Sequence, residues 1–228
     1  MIETIFFDLD DTILDFHKAE ALALSGTLQQ LGITPTQERI ALYSRINAAQ
    51  WRRLEAGEIT RPEVLTTRFR IFFREIGEER SCEETQAIYE SRLSQGHYYI
   101  DGAIDVLEAL FQRCTLYLVS NGNLRVQEGR LKSAAISHYF QDIFISEQLG
   151  ADKPSRLFFD RCFAQIPNFN PVTALIVGDS LTSDIQGGIN ADIRTCWFNP
   201  NRKPVHPTIK PDYEIFQLRE LISLIESV

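Results

Sequence analysis

The sequence predicts an α/β fold, a parallel sheet flanked by helices and interrupted once by an all-helical segment. Three observations lead there. Short apolar, β-rich runs recur along the chain, and each ends abruptly in polar residues. Helix-periodic stretches lie between them, an alternation that argues for a parallel, Rossmann-like sheet. One long stretch, residues 15–95, carries helical periodicity only.

Thr4-Ile5-Phe6-Phe7 is the first run and reads as a buried strand whose end carries Asp8-Leu9-Asp10-Asp11. The helical insert follows. In it, Leu65, Phe69, Phe72, Phe73 and Ile76 fall at three- and four-residue spacing and form one apolar face. Thr60 with Glu63, and Ser81 with Glu84, match the capping-box pattern at helix starts. Ile40, Tyr43, Asn47, Trp51 and Leu54 make a second stripe.

The sheet domain, residues 1–14 and 96–228, then resumes. Leu116–Val119 ends at Ser120-Asn121-Gly122, Ile143–Ile145 at Ser146-Glu147, and Ala174–Val177 at Gly178-Asp179-Ser180. Thr195–Phe198 is a fifth strand, and the last helix buries Leu218, Leu221, Ile222 and Ile225. Ligands of such sheets bind beyond the carboxyl ends of the strands, where these polar clusters fall.

Composition narrows the function. A net charge of −8 disfavours a nucleic-acid polymer as partner, because that affinity comes largely from Lys and Arg on phosphates. Any phosphate handled here must be drawn by local cations. No segment approaches the roughly 20 apolar residues of a membrane helix. Met1-Ile2-Glu3 lacks the basic start of a signal peptide, so the cytoplasm is the expected compartment. Cys82, Cys114, Cys162 and Cys196 form no Cys-x-x-Cys pair and are expected to be reduced, mostly buried thiols.

Asp8 and Asp10 alternate along the strand end, so their carboxylates can share one side. Two such carboxylates repel unless a proton or a cation lies between them. Three further stations accompany them. Ser120 offers a hydroxyl after the second strand. Lys153 precedes Pro154 at a helix start, which holds the lysine outside the helix. Asp179 and Asp184 follow the Ala174–Val177 strand. Each alone has an ordinary explanation: a turn serine, a solvated lysine, a helix-capping aspartate. All of them in this order, each at a strand end or loop, point to one site.

Phe7-Asp8-Leu9-Asp10-Asp11-Thr12, Ser120-Asn121-Gly122, Lys153-Pro154 and Gly178-Asp179-Ser180 through Asp184 resemble the four motifs of the haloacid dehalogenase-like (HAD) hydrolases. The resemblance spans the chain, with the helical insert in the C1 cap position. Asp11 to Phe16, Ala19-Glu20, and cap segments containing Asn47, Trp51, Leu54-Glu55-Ala56-Gly57 and Arg68-Phe69 resemble the YjjG/YfnB-type nucleotidases, which act on pyrimidine nucleoside monophosphates. The resemblance implies a phosphomonoester hydrolase in which Asp8 is the nucleophile and forms an aspartyl-phosphate. Asp10 would be its acid/base partner. It implies Mg²⁺ held by the Asp8 and Asp179 carboxylates and the Asp10 carbonyl, with Asp184 as a further ligand or the anchor of a metal-bound water. Lys153 would neutralise charge beside the phosphoryl group, Ser120 and the Asn121 amide would hold its oxygens, and Thr12 would orient Asp10 or fix the loop.

In the cap, Phe16, Trp51 and Tyr43 are candidates for stacking a base. Asn47 needs a hydrogen-bond partner if buried, and a substrate can supply one. Lys18, Arg52 and Arg53 read as surface charges. The expected partner is a small phosphorylated metabolite, a nucleoside monophosphate, with the chain a monomer or homodimer. A phosphatase for phosphoglycolate or a sugar phosphate is the alternative, and a phosphomutase shares the motif chemistry. A dehalogenase leaves Asp10 and Asp179 unexplained. A phosphoryl-accepting receiver domain lacks the insert and needs no acid such as Asp10.

Overall fold

Phe6 packs into one hydrophobic layer while Ile5 and Phe7 pack into another, the period-two alternation of a strand buried on both faces. In the computed structural model, which describes residues 1–228, this strand is β1 (Thr4–Asp8), and it lies inside a six-stranded sheet. The others are β2 (Thr115–Ser120), β3 (Asp142–Ile145), β4 (Ala174–Gly178), β5 (Arg194–Phe198) and β6 (Tyr213–Ile215). All pairings are parallel, in the order β3-β2-β1-β4-β5-β6.

Between β1 and β2 the chain forms α1 (Phe16–Gln30), α2 (Gln37–Glu55), α3 (Arg61–Ile76), α4 (Cys82–Leu93) and α5 (Ala103–Phe111). The remaining helices are α6 (Leu124–Ala134), α7 (Ser146–Leu149), α8 (Arg156–Phe163), α9 (Gln186–Asn190) and α10 (Glu220–Ser227). Residues of α5, α6 and α10 cover the face of Phe7, Leu118 and Val177, and α8 covers the face of Phe6, Tyr117 and Ile176. Helices α1 to α4 bury a separate core around Tyr43, Phe69, Phe72 and Tyr89.

The predicted strands and the final helix are all present, and β6 is an addition. It is three residues long at the sheet edge, too short for an apolar run to announce it. The Thr60–Glu63 cap forms, with Glu63 Oε2 accepting from Thr60 N at 2.7 Å. At the second, Ser81 Oγ accepts from Glu84 N at 3.2 Å. Tyr43 corrects the sequence reading. It is fully buried against Phe69, Phe72 and Tyr89 in the core of the helical segment, where it cannot stack a base. Cys114, Cys162 and Cys196 are buried and Cys82 is half-buried, all as free thiols. No helix is long and apolar enough to cross a membrane.

Candidate active site

The sheet brings the chemistry together through register. Asp8 pairs with Val119, so Ser120 stands one residue beyond it, and Phe7 pairs with Val177, just before Gly178 and Asp179. β1 therefore lies between the two strands whose ends carry the other motifs, at the crevice where doubly wound sheets bind ligands. After β1 the chain doubles back: Asp11 adopts a left-handed φ of 59°, its N–H donates to Leu14 O at 2.7 Å, and its carboxylate accepts from Phe16 N at 2.9 Å. This turn starts α1 over the site.

Lys153 is almost fully buried and directs all three ammonium protons inward. Nζ donates to Asp8 Oδ1 at 2.6 Å, Asp184 Oδ1 at 2.7 Å and Val119 O at 3.0 Å. The Asn121 side chain fixes the lysine's backbone, accepting from Lys153 N at 2.9 Å and donating to Lys153 O at 2.9 Å. Asp184 sits in a π-helical turn, Leu181–Ile185, and its second oxygen accepts from Ser180 N at 3.1 Å. Gly178 makes that possible, since a Cβ there would lie 2.2 Å from Asp184 Oδ2.

Carboxylate oxygens of Asp8, Asp179 and Asp184 lie within 4.8 Å of one another. Burial raises Asp8 well above the usual carboxylate range, opposed by Lys153 and reinforced by Asp184 and Asp10. Burial, then Asp184 and Asp11, pushes Asp179 up to about 7, with Lys203 pulling the other way. Burial alone would lower Lys153, but Asp184 and Asp8 outweigh it and raise the lysine. Three carboxylates thus converge on a single lysine.

The site opens into a cavity of about 570 Å³. Asp8, Asp10, Ser120, Asn121, Lys153, Asp179 and Asp184 all line it. So do Phe16, Asn47 and Trp51 from the helical segment, along with Arg52. Thr12 does not. It is fully buried, and its hydroxyl has no hydrogen-bond partner, so it makes no bond that would orient Asp10. Asn47 finds partners inside the protein: Nδ2 donates to Glu20 Oε1 at 2.7 Å, and Oδ1 accepts from Arg68 Nη1 at 2.9 Å. Lys18 and Arg53 are exposed, the first over the Tyr98 ring and the second paired with Glu58 at 3.2 Å.

Three residues escaped the sequence reading. Arg130 pairs with Asp10 Oδ1 while fully buried, and Gln127 Nε2 donates to Asp10 Oδ2 at 2.7 Å. Both lie on the buried stripe Val126, Gln127, Arg130, Leu131, Ala134 of α6, and polar residues at such core positions were the available signal. Arg61 opens α3 and reaches across to the sheet domain. It donates to Asn121 O at 2.6 Å and Ser146 Oγ at 2.5 Å, pairs with Asp152, and lies 5.5 Å from the Trp51 ring centre. Nothing local in the sequence marks it, because its partners lie 60 to 91 residues away.

Comparison with known proteins agrees with this geometry. The family model for haloacid dehalogenase-like hydrolases matches residues 5–198. HAD-hydrolase YfnB of Bacillus subtilis is 44% identical over 97% of this chain and 94% of its own length. Pyrimidine 5′-nucleotidase PynA of Streptococcus pneumoniae is 38% identical over 97% and 94%. Pyrimidine 5′-nucleotidase YjjG of Escherichia coli is 28% identical over 97% and 96%. The crystal structure of magnesium-bound YfnB superposes with a TM-score of 0.94, at 43% identity and 98% coverage of both chains. The chain belongs to the haloacid dehalogenase-like hydrolases.

Proposed function

We propose that this haloacid dehalogenase-like hydrolase is a magnesium-dependent 5′-nucleotidase that prefers pyrimidine nucleoside monophosphates and works through an aspartyl-phosphate on Asp8. Residues 15–95 act as its cap. The observation that carries the reading is Asp8 itself: a carboxylate held by Lys153 at 2.6 Å, in a cavity lined by both the sheet domain and the helical segment.

The donor set fits Mg²⁺. Once ionised, Asp8, Asp179 and Asp184 would outnumber Lys153 by two charges, which a divalent cation offsets, and the convergent atoms are all hard oxygens. Asp8, Asp179, the Asp10 carbonyl and Asp184, directly or through water, would hold the ion. When bound, it would screen the phosphate from the carboxylates and stabilise charge on the transferring group. Magnesium in the YfnB crystal supports the assignment.

An Asp8 oxygen attacks phosphorus as the bond from phosphorus to the ester oxygen breaks. Asp10 gives its proton to the departing alkoxide, so the nucleoside leaves as an alcohol. Ser120 and the Asn121 amide hold the phosphoryl oxygens in line, and Lys153 keeps Asp8 aimed. Asp10, now a base, takes a proton from water as that water attacks phosphorus and the bond to Asp8 breaks. Phosphate leaves, and both aspartates return to their starting states.

The core chemistry accepts any phosphomonoester, so choice of alcohol falls to the cap. Trp51 and Phe16 offer flat faces, and base stacking contributes about 1–3 kcal/mol. Similarity to PynA and YjjG supports a pyrimidine. The test is kcat/KM for UMP, dUMP, dTMP, AMP, phosphoglycolate and a hexose phosphate, in wild type and Trp51→Ala, with and without a chelator. Pyrimidine nucleotides should lead, chelation should abolish turnover, and Trp51→Ala should lose about tenfold or more on nucleotides. Phosphoglycolate or the hexose phosphate leading by tenfold would contradict the nucleotidase reading and leave a phosphatase.

A further inference from the structure

Gln127 and Arg130 stand one turn apart on α6, both bonded to the Asp10 carboxylate, and the Arg130 guanidinium lies 5.6 Å from the Phe16 ring centre. Both are essentially inaccessible to solvent. Arg130 directs Nε to Gly96 O at 3.2 Å and Nη1 to Asp10 and to Gln127 Oε1, the latter at 3.1 Å. Because the guanidinium only donates, the Gln127 carboxamide must turn its oxygen toward Arg130 and its nitrogen away. That nitrogen carries two protons. One goes to Asp10 Oδ2 at 2.7 Å and the other to Ser120 Oγ at 2.8 Å.

Ser120 Oγ also accepts from Gly122 N at 3.0 Å. A hydroxyl oxygen has two lone pairs, and both are now occupied. The hydroxyl proton is therefore left to be donated, on a residue lining the catalytic cavity. A phosphoryl oxygen is the acceptor it suits. Gly122 leaves the amide room, since a Cβ at that position would lie 2.2 Å from Gln127 Nε2.

We propose that Gln127, oriented by Arg130, is a positioning residue for the reaction. It makes Ser120 a dedicated donor to the phosphoryl group, and it ties Asp10, the proton shuttle, to the same amide. The inference rests on the aspartyl-phosphate reading above. A network serving only to anchor α6 would not need its two amide protons on two separate reacting groups.

Gln127→Met keeps the shape and deletes the donors, and p-nitrophenyl phosphate gives the discriminating readout. Nitrophenolate departs without an acid, so forming the phosphoenzyme asks little of Asp10, whereas hydrolysing it still needs a base. Gln127→Met should show a burst of about one nitrophenolate per chain. Its steady state should then be roughly 10- to 100-fold below wild type, the range found when a hydrogen-bond partner behind a metal-site residue is removed. The melting temperature should hold. Arg130→Lys keeps the charge, loses the guanidinium fork, and should show the same burst with a smaller loss; it carries the test if Gln127→Met does not fold. Wild-type turnover in these variants, or a loss without a burst that tracks a lowered melting temperature, would overturn the inference while the phosphatase reading stands. A wild type that releases phosphate from no monoester would overturn both.

Discussion

Lys153 and Gly178 show how closely single residues set this site. The lysine's three protons go to Asp8, Asp184 and the Val119 carbonyl, so its charge is fixed between two carboxylates without solvent. Gly178 contributes by lacking a side chain, for any Cβ would strike Asp184. Gly178→Ala should displace Asp184 and weaken magnesium activation roughly 10- to 100-fold, the loss usual when a ligand's support is disturbed. Titrating activity against magnesium measures it, and an unchanged half-saturation point would remove Asp184 from the metal site. Asp8, Asp10, Ser120, Lys153 and Asp179 were legible in the sequence because each follows a strand or opens a loop, where local pattern speaks. Gln127 and Arg130 were not, because a polar residue on a helix reads as solvated until its partner is known. Asp10 lies 117 and 120 residues from them.

At the scale of elements, strand ends and the loops after them carry the acidic cluster, and Arg61 at the start of helix α3 ties the helical segment to the sheet domain. Continuous apolar, β-rich runs revealed β1 to β5, and the three- and four-residue spacing of Leu65, Phe69, Phe72, Phe73 and Ile76 revealed α3. The same spacing could not separate a residue packing the cap from one lining the cavity. Tyr43 and Trp51 lie two turns apart on α2; the first joins the aromatic core and the second faces the cavity. Arg61, at the start of α3, joins the helical segment to Asn121 and Gly122 after β2, to Ser146 at the start of α7 and to Asp152 beyond it. Arg61→Ala should leave the melting temperature nearly unchanged and cut kcat/KM for UMP about 10- to 100-fold. That range corresponds to the roughly 1.5–3 kcal/mol of a hydrogen bond to a charged group. Faster hydrogen exchange at residues 51–61 should accompany the loss. Full activity with unchanged exchange would mean that Arg61 does not hold the cap.

For the molecule as a whole, the parallel sheet and the helical segment divide the labour. The sheet gathers three acids at and just beyond the ends of its inner strands β1 and β4, the loop after α7 brings Lys153 to them, and the segment after β1 helps wall the space above. In a chain of net charge −8, the proposed draw on a phosphate dianion must come from local cations, a magnesium ion at the acidic cluster foremost. This division predicts a covalent intermediate on one residue. Mixing the enzyme with phosphorus-labelled dUMP and magnesium, quenching in acid within milliseconds, and mapping the label by peptide mass spectrometry tests it directly. The account predicts label on Asp8 alone, at no more than one phosphate per chain, absent in Asp8→Asn and slow to decay in Asp10→Asn. Near wild-type phosphate release by Asp8→Asn, or label on another residue, would contradict it.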